Sequence, residues 1–352
     1  MATKPISENV NFPKWMARFK EIKHLGGYVQ ARKMRKLFGG SLNTWKTRVG
    51  MLADLLDDQS RKERQLTEQE KEQYFVQKIL LRPYPYRFPG HKFARKIDLA
   101  KTLIISDPHA PYESKKLQAK ILAEEHNAGH LHINGDAADF YSKSRFPKAQ
   151  GHIDFYAEIR GVFDYLEWCA IHWHRVTIIR GNHDDRPKKM LIDSLKSDEL
   201  WMVDYDLLKR ITSYLPNIEL VGERVKSEEN GDVPIEFVWQ FGDVVFTHIE
   251  RSQVQASGLL KTVHDMLIEW SEHFNLQPFK FFVQGHNHRC DTNLVGGKTG
   301  FLCPMAADPT GMGLRYIYHP SMRGKAPVLG YAVLVREHGK TVFNKSRIYR
   351  LE

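Results

Sequence analysis

Apolar and polar positions divide this chain into three textures. From Trp15 to about Phe38 apolar and basic residues mix without a proline, which reads as helix. Leu52, Leu55 and Leu56, then Phe75, Ile79 and Leu80, keep helical spacing around a charged middle, Arg61–Glu72, with a break expected near Asp57-Asp58-Gln59-Ser60. Pro83, Pro85 and Pro89 then exclude helix and predict a semi-rigid linker. After residue 97, strand-length apolar runs alternate with amphipathic helices such as Leu117–Asn127 and Phe155–His174, which predicts an α/β architecture. Beyond His288, the stretches Tyr316–Tyr318, Val328–Val335 and Ser346–Arg350 read as strands that complete the sheets. The expected organisation is a basic helical region over 1–80, a proline-rich linker over 81–97 and an α/β domain over 98–352.

Five of the apolar runs end in residues able to bind metal. Lys101–Ser106 leads into Asp107 and His109, and His130–Asn134 into Asp136 and Asp139. Val176–Arg180 leads into Asn182, His183 and Asp184, Val244–Thr247 into His248, and Phe281–Gln284 into His286 and His288. In an α/β fold, ligands gather at the carboxyl ends of strands, so these five ends are expected to converge. Asp107 and His109 are two residues apart, as are His286 and His288, so each pair can face one side. Carboxylates and imidazoles without cysteine suit Mn, Fe or Zn. Gly135, Gly181 and Gly285 precede Asp136, Asn182 and His286, where sharp turns are expected. Asp107, His109, Asp136, Asn182, His248, His286 and His288 are too many ligands for one catalytic ion with an open position. Two ions sharing a carboxylate accommodate them, the arrangement used for in-line displacement at phosphorus. His264 is a rival to His248, but it lies in a helical pattern, whereas His248 directly follows an apolar run. His126, His130, His132, His172 and His174 read as surface or packing histidines, and Asp184 and Asp185 as turn residues or supports of the ligands.

Composition narrows the setting. The chain has 352 residues, 42% of them hydrophobic, enough for one large domain and a smaller one. No stretch approaches the ~20 apolar residues of a membrane span, and the first residues lack a signal-peptide core. Cys169, Cys290 and Cys303 show no CxxC spacing, which points to a reducing interior and a cytoplasmic location. Residues 1–95 hold 20 Lys+Arg against 9 Asp+Glu, and the remainder 32 against 33, so the excess positive charge lies in the first quarter. Such asymmetry favours a polyanionic partner, with a solvated helical surface as the alternative. Within it, Met34–Val49 has the outline of a helix-turn-helix: Gly39 at the turn, Ser41 as N-cap, Trp45 and Val49 as the apolar face, and Lys46 and Arg48 facing nucleic acid. Arg35 departs from the usual small residue in the first helix.

The five blocks closely resemble the calcineurin-like metallophosphoesterase family, whose signature is Asp-x-His, Gly-Asp-x-x-Asp, Gly-Asn-His-Asp/Glu, a lone His and Gly-His-x-His. The resemblance covers about residues 98–300. It implies a sandwich of two mixed β-sheets flanked by helices, here with a small N-terminal helical domain. By the same resemblance, Asp107, His109, Asp136 and His288 would hold one divalent ion, and Asp136, Asn182, His248 and His286 a second, with Asp136 bridging. Manganese is the first expectation, with Fe, Zn and Mg as alternatives. A metal-bridging hydroxide would attack phosphorus, and His183, oriented by Asp139, would protonate the leaving oxygen. Arg145, Arg186 and Arg289 flank the blocks and are candidate contacts for the substrate phosphate.

Finer features bear on the substrate. Protein phosphatases of the family carry Arg after the second Asp of Gly-Asp-x-x-Asp and Glu after Gly-Asn-His. Phe140 and Asp184 stand there in this chain, which argues against that branch. Phe140–Phe146 and Asp107–Tyr112 look like phage- or prophage-encoded members, which would place the protein in a host cytoplasm. The first expectation is a phosphodiesterase or nuclease acting on nucleic acid held by the basic region. The alternatives are a phosphomonoesterase or small-nucleotide phosphodiesterase, and a DNA-binding or assembly protein with a secondary metal site.

Overall fold

The computed structural model describes residues 12–22, 24, 27–38, 42, 49, 52, 88–93, 96–144, 153–194, 206–224, 237–250, 255–272, 275–310 and 327–351. The chain forms two compact units, Met1–Lys71 and Glu72–Glu352.

In the first unit the basic, apolar stretch is two helices rather than one, α1 (Phe12–Ile22) and α2 (Gly27–Phe38). Gly26-Gly27 in the sequence explains the interruption, because glycine is costly inside a helix. Trp15 and Phe19 of α1 and Ala31 and Met34 of α2 are buried, while Lys14, Arg18, Lys20, Arg32, Lys33, Arg35 and Lys36 are exposed. Of the expected second helix of the helix-turn-helix, Leu42 and Val49 are described, both helical and Val49 buried, while Lys46 and Arg48 lie outside the described residues. So do the Arg61–Glu72 stretch, residues 81–87 of the linker and Tyr316–Tyr318.

In the second unit all five ligand-bearing runs are strands. One sheet has the order β12-β11-β1-β2-β3-β4, with β13 also paired to β11. Its members are β1 (Asp98–Ile105), β2 (Ala128–Asn134), β3 (Arg175–Ile179), β4 (Ile218–Leu220), β11 (Gly330–Glu337), β12 (Lys340–Thr341) and β13 (Arg347–Arg350). The other sheet has the order β5-β6-β7-β8-β10-β9. It comprises β5 (Glu223–Arg224), β6 (Phe237–Phe241), β7 (Val244–Thr247), β8 (Phe281–Gln284), β9 (Asp291–Val295) and β10 (Lys298–Leu302). Neighbours β1, β2, β3 and β4 run parallel, as do β7, β8 and β10. The remaining pairs are antiparallel, so both sheets are mixed.

Side-chain alternation explains why the runs are continuously apolar. Leu103, Ile105, Leu131, Ile133, Val176 and Ile178 face outward and pack beneath α3 (Lys115–Glu125), α4 (Phe155–His172) and α6 (Leu207–Thr212). Their neighbours Ile104 and Ile179 point the other way and meet Val244, Phe246, Phe281 and Val283 of the second sheet. Val245 and Phe282 face the far side, against Leu259, Leu260 and Val263 of α7 (Ala256–Glu269). Strands buried on both faces have no polar side to display. The result is a four-layer α/β/β/α sandwich. Among the described residues, no helix is long and apolar enough to cross a membrane.

His130 and His132 are packing residues between the sheets. Both share the Thr177 hydroxyl, at 2.7 and 2.9 Å, and His132 stacks on Trp239. Burial holds both imidazoles well below their usual range and therefore neutral. Residues following the prolines are pinned to this unit: Lys92 N donates to Ile171 O at 2.7 Å.

Glu158, on α4 and fully buried, accepts hydrogen bonds from the Ser142 amide and hydroxyl, tying α4 to the 3-10 turn Tyr141–Lys143. Burial pushes its carboxyl up to about 7, although the Ser142 hydrogen bonds oppose the rise. With the folded value above the unfolded one, folding takes up a proton between them. This group's contribution is therefore complete at low pH and is lost as pH rises through about 7. Glu158→Gln should flatten the fall in stability between mildly acidic and mildly alkaline pH, read by urea unfolding at constant metal. A fall as steep as in the wild type would show that Glu158 carries no such proton.

Candidate metal centre

The five strand ends meet where the two sheets adjoin. Backbone hydrogen bonds stitch their loops together: Asp107 N to Gly135 O (3.2 Å), His109 N to Asp136 O (3.0 Å) and Gly285 N to Thr247 O (3.0 Å). The turns are tight enough to force unusual backbone. Asp107, His109, Asp136, His286 and His288 all have φ between 46° and 67°, in the left-handed region that side chains disfavour. These five are most of the described non-glycine residues with such angles, so the strain concentrates on the side chains that the chemistry needs. Two glycines clear the remaining space. Gly135 has φ 85°, and a Cβ there would land on the His248 ring; a Cβ at Gly181 would land on the Asp136 carboxylate.

All seven expected ligands are gathered here. His109 Nε2 stands 3.3 Å from His288 Nε2, which is 3.4 Å from Asp107 Oδ1. His248 Nε2 stands 3.2 Å from Asp136 Oδ2 and 3.8 Å from Asp107 Oδ1. His286 Nδ1 faces Asn182 Oδ1 at 3.1 Å. Asp107, His109 and His288 form one set that could hold an ion, and Asp136, His248 and His286 a second. His264 lies instead on α7, near Phe282.

The donor chemistry fits divalent cations. His248 Nδ1 lies 2.9 Å from the Asn134 carbonyl, to which it can only donate, so Nε2 is the nitrogen left to face a cation. That buried Nε2 has no hydrogen-bond partner although it faces two carboxylates. His109 Nδ1 likewise donates to Asp139 Oδ1 at 3.2 Å, which turns Nε2 toward the His288 nitrogen. Two imidazole nitrogens at contact distance need a proton or a cation between them. Electrostatics agree: burial opposes charge on every group, yet the neighbouring imidazoles hold Asp107 down to about 2, and Asp136 and Asp107 raise His248 to about 10. His286, by contrast, is pushed down to about 3 by burial and by His248.

Beside these sets His183 Nδ1 bonds Asp139 Oδ1 at 2.6 Å, and its Nε2 is 3.9 Å from Asp136 Oδ2. Burial pushes this imidazole down to about 4; Asp136 and Asp139 resist, while Arg186 and His109 add to the fall. Asp139 thus serves two histidines, His109 as well as His183, a sharing that the sequence did not signal. Arg186 joins them, donating from Nη1 to Asp139 O (2.8 Å) and Oδ1 (3.2 Å) and from Nη2 to His183 Nε2 (2.9 Å). Arg289 follows His288 in the loop before β9, and Arg145 lies outside the described residues.

Residues 100–290 match the model of the family described as calcineurin-like phosphoesterase. The chain belongs to that family. Its members are metal-dependent hydrolases of phosphoric esters, and the His/Asp sets above suit the divalent ions they use. Solved structures similar to this calcineurin-like chain include a Vps29 single mutant from Entamoeba histolytica (13% identity, TM-score 0.34, covering 71% of this chain and 98% of that one). Vps29 from Chaetomium thermophilum (13%, 0.32, 71% and 96%) and a novel archaeal phosphodiesterase (13%, 0.34, 71% and 99%) are also similar. None of the curated proteins matches.

Asp184 has a larger part than its sequence suggested. Its carboxylate accepts from Gly181 N (2.8 Å), Ala138 N (2.8 Å) and Ala137 N (3.3 Å), locking the turn after β3 to the turn after β2. Asp184→Ala would leave buried amides without acceptors. It should lower stability by about 2–4 kcal/mol, measured as a shift in the urea midpoint. A change within about 0.5 kcal/mol, the range of neutral surface substitutions, would show that the turns hold without it.

Proposed function

We propose that this phosphoesterase cleaves phosphodiesters in nucleic acid, using two divalent ions and His183 as general acid. The supporting observation is the juxtaposition of two ligand sets, one with Asp107 and one with Asp136, and the His183–Asp139 pair, which shares His109 with the first. Asp107, His109, Asp136 and His288 would hold one ion, and Asp136, Asn182, His248 and His286 the other, with manganese suited to this nitrogen and oxygen donor set. When bound, such ions polarise the phosphoryl group and activate a water. Asp139 fixes the His183 ring through Nδ1; Nε2, which accepts from Arg186 Nη2 here, would carry the proton to the leaving oxygen once the guanidinium turns to the phosphate. A phosphoester anion beside Nε2 would favour the imidazolium that burial and Arg186 disfavour.

Two features support a nucleic acid over a phosphoprotein. Phe140 stands where protein phosphatases of the family carry arginine, and Asp184 where they carry glutamate. In the N-terminal unit, α1 and α2 expose Lys14, Arg18, Lys20, Arg32, Lys33, Arg35 and Lys36, with Glu21 the one exposed acid among the described residues of these helices. Free thiols at Cys169, Cys290 and Cys303 favour a reducing compartment such as the cytoplasm.

With manganese supplied, the wild type should hydrolyse a generic phosphodiester faster than a generic phosphomonoester. His183→Ala should lower kcat by about 100-fold or more with metal content unchanged. Preference for the monoester would move the assignment to a phosphomonoesterase, and full activity in His183→Ala would remove the general-acid role. Binding of the full chain to DNA should weaken steeply with salt, with a slope of log K against log salt of about −0.9 for each phosphate neutralised. No binding at low salt would sink the nucleic-acid reading.

A further inference from the structure

We infer that Arg186 is the phosphate-gripping arginine of this site, replacing the one absent after Asp139; the inference rests on the phosphoesterase reading above. Phe140 cannot serve in that position, whatever its chemistry. It is fully buried with φ 47°, and its ring packs toward Phe155 at 6.1 Å, inside the core beneath the helices.

Arg186 reaches the same place from another element. It opens α5 (Arg186–Ser194), and its guanidinium folds back onto the carbonyl of Asp139, the residue just before Phe140. Nη2 sits 2.9 Å from His183 Nε2, the one imidazole nitrogen that Asp139 leaves unoccupied. That nitrogen must face the leaving oxygen if His183 is to protonate it, so a cation resting there lies against the incoming phosphoryl group. Its Nε–H and one Nη2 hydrogen have no partner among the described residues, and its side chain is 15% exposed at the cleft. A planar fork of donors is therefore available for two phosphoryl oxygens. Arg180, the other arginine of this segment, is committed elsewhere, paired with Asp206 and near Asp185.

The test compares full-length wild type, Arg186→Gln, Arg186→Met and Arg186→Lys, each loaded with manganese. Gln keeps an amide able to donate to the Asp139 carbonyl, so one variant remains folded should Met disturb the turn. Inorganic phosphate is titrated by calorimetry, and hydrolysis of bis(p-nitrophenyl) phosphate gives kcat and KM separately. Gln and Met should weaken phosphate binding by about tenfold or more and lower kcat/KM by about 100-fold. Lys should restore part of the phosphate affinity through its charge but not the two-point grip. Unchanged phosphate affinity in a folded Gln or Met variant overturns the assignment, even if its activity falls, because Arg186 would then only position His183 and Asp139. A wild type that hydrolyses no phosphoester sinks the underlying reading instead, while phosphate affinity still reports on Arg186.

Discussion

The buried carboxylate of Asp136 is the interaction around which the second unit is arranged. It accepts from the His183 amide at 2.9 Å, and lies 3.2 Å from His248 and 3.9 Å from both His109 and His183. A carboxylate without solvent is costly unless its charge is answered by hydrogen bonds, imidazolium or metal. The segments after β1, β3 and β7 supply those answers, and this brings the carboxyl ends of β1, β2, β3 and β7 into one place. The fold can meet that demand because both sheets present parallel strands whose carboxyl ends point the same way.

Closeness at Asp136 explains the backbone around it. Five ligand residues adopt left-handed angles, and Gly135 and Gly181 leave room where a Cβ would strike His248 or Asp136. Asp184 then holds two of the turns in register through three amides, and Asp139 orients two histidines with one oxygen. Strain in the turns is thus offset by hydrogen bonds between loops as well as within them.

Arg186 and Phe140 divide the surroundings of Asp139 between a charged side and the hydrophobic core. Phe140 lends its side chain to the hydrophobic core, and the charge near Asp139 comes from the start of α5. His183 sits between the Asp139 carboxylate and the Arg186 guanidinium, and burial, with Arg186 and His109 adding to it, holds its imidazole low.

Much of this was legible in the chain itself. Runs buried on both faces are largely apolar, so the five strands and their polar ends stand out, and His248 is distinguished from His264 by following such a run. Composition also located the excess positive charge in residues 1–95, whereas the break between α1 and α2 was hidden in a pattern that read as one helix, with Gly26-Gly27 its only sign. Other features had no signature along the chain. Two buried β2 histidines share one threonine, Asp139 serves His109 as well as His183, Asp184 clamps distant amides, and Arg186 reaches a carbonyl 47 positions away. Local pattern records which face of an element is buried and which residue types end it, because those depend on period and composition. Which side chains then share a proton, an anion or a carbonyl depends on distances set when separate strands converge, and that only the tertiary structure decided.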